Sequence, residues 1–230
     1  MEAAIFILGA VVVLCLIGFA WHLEHKRTQE LRALARDLGL SFSQARDSTA
    51  DKRFARFAMF KRGRSRRAWN IMRGQVELAG HDVNVESGDF RYVVGSGKDQ
   101  KTYKFSYLVA VNPIGTCPET IVRLEGIFDR VKGMLGFDDI DFESDDFSRK
   151  FHVSSDDKRF AYDLISQEMM EYMLENPPSA VELEGELICI ANGSTRWKPE
   201  DFRASIRWLG GMLQRWPRHL ADSMGDVRNS

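Results

Sequence analysis

Residues 68–113, AWNIMRGQVELAGHDVNVESGDFRYVVGSGKDQKTYKFSYLVAVNP, carry apolar side chains at a period close to two. Successive side chains of an extended strand point to opposite faces, so this alternation marks strands with one face in a core. Trp69 and Ile71 begin the first strand, Gln75 and Val76 continue it, and Gly80 turns the chain. Val83, Val85, Phe90, Tyr92 and Val94 carry the second, with Ser87-Gly88 as a bend or bulge within it. Gly95-Ser96-Gly97-Lys98 makes a tight turn into a third, where Tyr103, Phe105, Tyr107 and Val109 alternate. Strands joined by such turns predict an antiparallel meander of three or four strands. The GSGK turn is not a phosphate loop. Tyr92 stands where the first glycine belongs, Asp99 follows Lys98 in place of Ser or Thr, and a strand comes next instead of a helix.

Downstream, residues 120–124 read as a short strand and 128–135 as a short helix or turn. In DDIDFESDDF, Ile140 and Phe142 face inward while Asp139, Asp141 and Glu143 face outward, which predicts a strand with a solvated acidic face. Phe147, Phe151 and Val153 continue that pattern. A calcium loop fails here, because Ser144 replaces the required glycine and Lys150 the bidentate Glu. Asp156 or Asp157 caps a helix that runs to about Glu175, with Ala161, Leu164, Ile165, Met169 and Tyr172 as its stripe and Asn176-Pro177-Pro178 as its stop. Residues 181–191 alternate and shift phase near Glu184-Gly185-Glu186, predicting a hairpin, and Asn192-Gly193 marks a turn. Pro199, with Glu200 and Asp201, opens a last helix whose stripe is Phe202, Ile206, Leu209, Leu213 and Trp216. Helices bracketing hairpin-linked strands predict an α+β fold with an antiparallel sheet, over residues 43–220, and a flexible tail over 221–230.

Upstream, Phe54, Phe57 and Phe60 recur every third residue on a short helix and offer an aromatic edge. Before them, Leu31, Leu34, Ala35 and Leu38 line one face of a juxtamembrane helix over residues 23–42, which Gly39 closes. Residues 3–21, AAIFILGAVVVLCLIGFAW, hold no charge. At 1.5 Å per residue such a helix spans roughly 28 Å, close to the hydrocarbon thickness of a bilayer. Residues 1–22 are therefore expected to be a transmembrane anchor, with Trp21 and His22 at headgroup level. A signal peptide would carry cations before the apolar run, where only Met1 and Glu2 stand. Glu24, Lys26, Arg27, Arg32 and Arg36 follow the run, and the positive-inside bias then predicts a single pass, N-terminal end out, with the domain in the cytoplasm.

Charge is unevenly distributed. Residues 1–115 hold 18 Lys and Arg against 11 Asp and Glu, and residues 116–230 hold 14 against 22. The densest run spans residues 52–67, eight cations without an acid. Within it Lys61, Arg62, Arg64, Arg66 and Arg67 are the candidate contacts to anionic lipid headgroups, each worth about 1 kcal/mol near a surface. A solvated surface is the plain alternative, and an acidic second half argues against nucleic acid. Cys15, Cys117 and Cys189 are few and unclustered, which fits a reducing compartment and gives no metal-ligand spacing. His81, His152 and His219 lie in separate segments, with no nucleophile beside them. No catalytic motif and no cofactor or metal signature emerges.

The run GMLGFDDIDFESDDFSRKFHV, the preceding VRLEG and the upstream YVVGSGK hairpin resemble a group of uncharacterised bacterial single-pass membrane proteins. The elements carrying the resemblance are Arg123 and Glu125, then Asp139 to Phe142, then Phe147, Ser148 and Phe151. Many relatives have Pro between that Arg and Glu, where this chain has Leu124. The resemblance implies a bacterial inner-membrane topology and no activity. The expectation is a membrane-anchored, non-enzymatic binding domain that contacts the bilayer through residues 3–21, with anionic headgroups or a protein as partner. Two alternatives are an enzyme with a dispersed site, in which His152 meets Asp139 and Asp141, and a structural subunit associating through Phe54, Phe57 and Phe60.

Overall fold

A computed structural model describes residues 2–125, 140–191 and 193–222, without the side chains of residues 2–5, 8 and 10. Eight antiparallel strands form one sheet: β1 (Ser41–Ser43), β2 (Arg64–Leu78), β3 (His81–Val94), β4 (Lys101–Val111), β5 (Cys117–Leu124), β6 (Phe151–Ser155), β7 (Ala180–Gly185) and β8 (Leu187–Ala191). Their order is β1-β2-β3-β4-β8-β7-β5-β6. The expected meander is β2 to β4, and the hairpin expected about Gly185 joins β7 to β8. Ala79 and Gly80, both at positive φ, link β2 to β3 in the two-residue turn that suits strand twist. The fold is α+β, as the alternation implies.

The helices are α1 (Glu2–Asp37), α2 (Ala50–Arg53), α3 (Ala58–Lys61), α4 (Asp145–Lys150), α5 (Lys158–Leu164), α6 (Gln167–Glu175) and α7 (Pro199–Gln214). One face of the sheet packs against Leu31, Leu34 and Ala35 of α1, together with the apolar stripes of α4 to α7. The opposite face buries Phe54, Phe57 and Phe60 around Phe90, Phe105 and Tyr107. Phe60 meets Phe90 edge-on at 4.8 Å and Tyr107 at 5.2 Å between ring centroids. Burying one such ring stabilises the fold by about 2–3 kcal/mol. The three phenylalanines are thus core and leave no aromatic edge for association.

Several boundaries differ from the sequence reading. The helix expected over residues 23–42 does not reach residue 42. It ends at Asp37, where Gly39 (φ +69) reverses the chain, and Leu40 N–H donates to the Ala35 carbonyl before β1 begins. Residues 145–150 are helical, not extended, because the Ser144 hydroxyl accepts from Phe147 N–H and caps them. Ile140 and Phe142 are buried without belonging to a strand. The helix expected over 157–175 is two, α5 and α6, because Ser166 starts a new cap on Met169 N–H. The irregularity expected at Ser87-Gly88 lies on the neighbouring strand, between Trp69 and Met72. Gly88 marks it, since a Cβ there would meet the Trp69 carbonyl at 3.1 Å. The segment 128–135, Asp139 and Asn192 lie outside the described residues.

Among the described residues, no helix is long and apolar enough to cross a membrane. Several side chains of the charge-free run, at residues 3–5, 8 and 10, are outside that set.

Candidate functional site

α1 is continuous from the apolar run into the core, so the polar residues midway along it decide how the run is held. Arg27 is the main one. Its Nε and Nη2 donate to the two oxygens of Asp89 at 2.9 and 2.6 Å, and its Nη1 donates to the Trp197 carbonyl at 2.7 Å. Asp89 is fully buried on β3 and also accepts from Ser106 Oγ at 2.7 Å and Asn70 Nδ2 at 3.3 Å. Asn70 sits at φ +51 in the β2 irregularity, and its Oδ1 accepts from Thr28 Oγ1 at 3.1 Å. Ser106 Oγ accepts from Trp197 N–H at 3.0 Å. One bidentate ion pair and its satellites therefore fasten α1 to β2, β3, β4 and the segment before α7. A buried ion pair persists when its remaining lone pairs and protons are satisfied in this way.

Toward the apolar run the same sheet face becomes cationic. Arg67 lies opposite Arg91 across β2 and β3, and Arg91 opposite Lys104 across β3 and β4. Arg46, from the loop after β1, acts on Arg67 as well. These four cations, Trp21, Glu24, His25 and Thr28 of α1, and Trp69 and Asn70 of β2 line a cleft of about 340 Å³. Burial, then the charges of Arg91 and Arg46, push the Arg67 guanidinium below its ordinary value. Glu24 is the carboxylate lining the cleft, and it is already engaged, with Arg196 at 2.8 Å and Lys104 at 3.5 Å. Burial raises its pKa, but those two cations more than offset this and hold it below the usual value. The Nε of Arg91 is buried without a partner among the described residues.

The five cations singled out from the sequence do not form one patch. Neighbours on a strand point to opposite faces. Arg66 accordingly turns to the α2 side, where its Nε donates to Asp51 at 2.8 Å, while Arg67 faces the cleft. Arg64 donates to the Gly95 carbonyl and to Gln100 Oε1 at the tip of the β3–β4 hairpin. Lys61 closes α3, and its carbonyl accepts from Arg66. Arg62 follows at the C-cap of α3. Sequence reasoning missed Arg91 and Lys104, whose signal is the cross-strand register that runs from Arg67 to Arg91 to Lys104, and Arg46, which the Asp47–Ala68 bridge brings beside β2.

Among the described residues no group of three or more His, Cys, Asp or Glu could hold a metal ion. Burial pushes the Cys117 thiol up to about 12, although the Asn112 amide donates to its sulfur, and burial raises Cys189 well above its ordinary value. Neither is a thiolate nucleophile at neutral pH. Cys117 and His152 are separated by the length of β5, since His152 pairs with Arg123, roughly 20 Å along the strand from Cys117. A second cleft of about 560 Å³ lies between Asn176-Pro177-Pro178 and Trp197, Arg207 and Trp208, and neither His152 nor Asp141 lines it.

Of the described residues behind the resemblance, Phe142, Phe147, Ser148 and Phe151 lie together, while Arg123 pairs elsewhere. Arg123 Nη2 pairs with Glu182 at 2.8 Å inside the sheet, and Leu124 lies opposite Phe151. Ser148 Oγ accepts from Phe142 N–H at 3.0 Å and donates to its carbonyl, and the Phe142 and Phe147 rings stack edge-on at 5.4 Å. These contacts fold the α4–β6 corner.

Compared with models of known families and with curated protein sequences, the chain matches none. Among solved structures it is similar to the crystal structure of the mycobacterial trehalose monomycolate transport factor A, TtfA. The TM-score is 0.51 at 15% sequence identity, over 83% of this chain and 96% of that one. At that identity the likeness shows a shared α+β fold.

Proposed function

We propose that the chain is a bilayer-anchored binding domain whose anchor and domain form one rigid body. The observation that carries this reading is the split character of α1. Its first half exposes Phe6 (78%), Leu14 (67%) and Trp21 (69%), with Val11, Val12, Val13 and Ile17 also exposed. Successive helical residues are about 100° apart, so residues 11–14 alone cover nearly the whole circumference. A partner protein would cover one stripe, whereas lipid covers every side. The second half of α1 buries only one face, through Thr28, Leu31, Leu34 and Ala35, and is pinned by Arg27 to Asp89.

The cationic end of β2 to β4 supports an orientation with that end against an anionic leaflet. In this reading Lys61, Arg62, Arg64, Arg66 and Arg67 add general attraction to the surface. Charges after the apolar run support a domain on the cytoplasmic face of a bacterial inner membrane. In this reading the binding function is non-enzymatic. Because the structural neighbour is named as a transport factor, a part in transport is a further form of binding to test.

The test is membrane fractionation of the full chain and of a Val12→Arg/Leu16→Arg variant. The expected result is wild type that resists alkaline carbonate and yields only to detergent, with the variant in the soluble fraction. Wild type that stays soluble and monomeric without detergent overturns the reading. Reporter fusions at each end test the orientation, and an active periplasmic reporter on the domain would reverse it.

A further inference from the structure

We infer that the cleft between α1 and the Arg67–Arg91–Lys104 row is a site for the phosphate of an anionic phospholipid headgroup. Cross-strand neighbours of like charge destabilise a sheet. Here Arg67 and Arg91 occupy opposed positions with Arg46 close by, and no carboxylate pairs with any of the three among the described residues. The fold thus holds together a cluster that repels itself, and an anion between the guanidiniums relieves that repulsion. Arginine forks match phosphate oxygens in pairs, and the unpartnered, buried Arg91 Nε is a donor that such an oxygen would satisfy.

Depth selects a lipid over a free anion. Trp21 ends the charge-free run and lines the cleft, so the cleft opens where the apolar part of α1 stops. Arg91 lies two residues along β3 beyond Asp89, about 7 Å toward that level. A phospholipid can keep its acyl chains beside residues 6–19 while its phosphate reaches the arginines. The volume of about 340 Å³ holds a phosphate with part of its headgroup, at the small end of ligand sites. Trp21 and Trp69 flank it with amphipathic rings of the kind that settle at headgroup depth. This inference rests on the bilayer reading of α1.

The experiment uses the full chain in nanodiscs of phosphatidylcholine alone or mixed with phosphatidylglycerol. Carbonate resistance is checked first, and lipid retained on the protein is then counted by native mass spectrometry. Wild type should retain phosphatidylglycerol over phosphatidylcholine. Arg67→Gln/Arg91→Gln should hold phosphatidylglycerol roughly a hundredfold more weakly, tenfold for each lost charge-assisted contact, and lose the preference because the cations that repel choline are gone, while its lipid-free melting temperature should hold or rise. Lys61→Gln/Arg62→Gln should retain the lipid. If Arg67→Gln/Arg91→Gln keeps the preference while folded, the site is refuted. If both double variants lose it equally, the cause is general surface charge and the site is refuted. Inorganic phosphate that shifts tryptophan fluorescence equally in phosphatidylcholine discs would make the ligand a free anion and overturn the lipid assignment. Failure at the carbonate step overturns the bilayer reading itself, so the two failures are distinguishable.

Discussion

Replacing Asp89 with Ala should destabilise this protein more than almost any other single change. The carboxylate is fully buried and accepts four hydrogen bonds, two from Arg27 and one each from Ser106 and Asn70. Its loss leaves the Arg27 guanidinium, only 15% exposed, still bound to the Trp197 carbonyl but with its charge uncompensated. Removing one partner of a buried pair costs about 3–5 kcal/mol. For a domain of this size that is a fall of roughly 10 °C in Tm. The assay is urea denaturation of the full chain in detergent micelles, followed by tryptophan fluorescence, to which Trp197 at the network contributes. Arg27→Met/Asp89→Leu should recover most of the loss, because it removes both charges and refills the volume. An Asp89→Ala cost under about 1 kcal/mol, or a double variant worse than either single, would refute the view that this pair pins α1.

Other expectations follow from separate parts of the fold. Gly211→Ala should lose about 1–3 kcal/mol despite better helix propensity, because a Cβ there would run into the Tyr172 ring whose hydroxyl donates to the Trp208 carbonyl. Thermal unfolding checks this, and Gly211→Ala with Tyr172→Leu should recover part of the loss. In a Cys15→Ser background, maleimide should leave Cys117 and Cys189 unmodified at neutral pH until denaturant is added, since both are buried and their thiols are raised. Asp47 carries a pH signature. Burial works to raise its carboxyl, but hydrogen bonds from Thr49 and the Arg53 guanidinium hold it well below the usual range. A depressed folded pKa contributes stability that is present above the unfolded value near 4 and is lost as pH falls below it. Asp47→Asn should thus cost about 1 kcal/mol at neutral pH, discounted for its exposure to solvent, and flatten the acid limb of stability against pH.

Much of the sheet was legible because alternation survives wherever one face is buried. β3 and β4 place Val83, Val85, Ser106 and Leu108 toward α1, and Phe90, Phe105 and Tyr107 toward α2 and α3. The helix over 145–150 was not legible, because Phe147 and Phe151 fit a strand period as well as a helix turn, and Ser144 decides between them through a single cap. The break between α5 and α6 was hidden for a similar reason, since the stripe is continuous across Ser166 and only the cap interrupts it. The candidate site was half visible. Arg67 belongs to a local run of cations, but Arg91 and Lys104 join it only through pairing of β2, β3 and β4, and Arg46 through the loop that the Asp47–Ala68 bridge holds beside β2. A one-residue slip of β3 would turn Arg91 to the opposite face, so no local spacing encodes the cluster.

The same pairing separates two roles that a count of charges merges. On the proposed reading, Arg27 follows the apolar run and weighs in the orientation of the span while the chain is still unfolded. Once folded, its charge is cancelled by Asp89 inside the domain and contributes nothing to the field at a leaflet. Arg67 and Arg91 lie far along the sequence from the run and weigh little in orientation, yet the sheet brings them to its end. On the proposed reading, orientation and lipid selectivity therefore depend on different cations. Arg27→Gln should disturb folding and leave selectivity intact in whatever fraction folds, measured by lipid retention. Arg67→Gln/Arg91→Gln should abolish selectivity and leave reporter-fusion orientation unchanged. A variant pair that moved both readouts together would mean that a single surface field acts throughout, and would remove the distinction between the pin and the cleft.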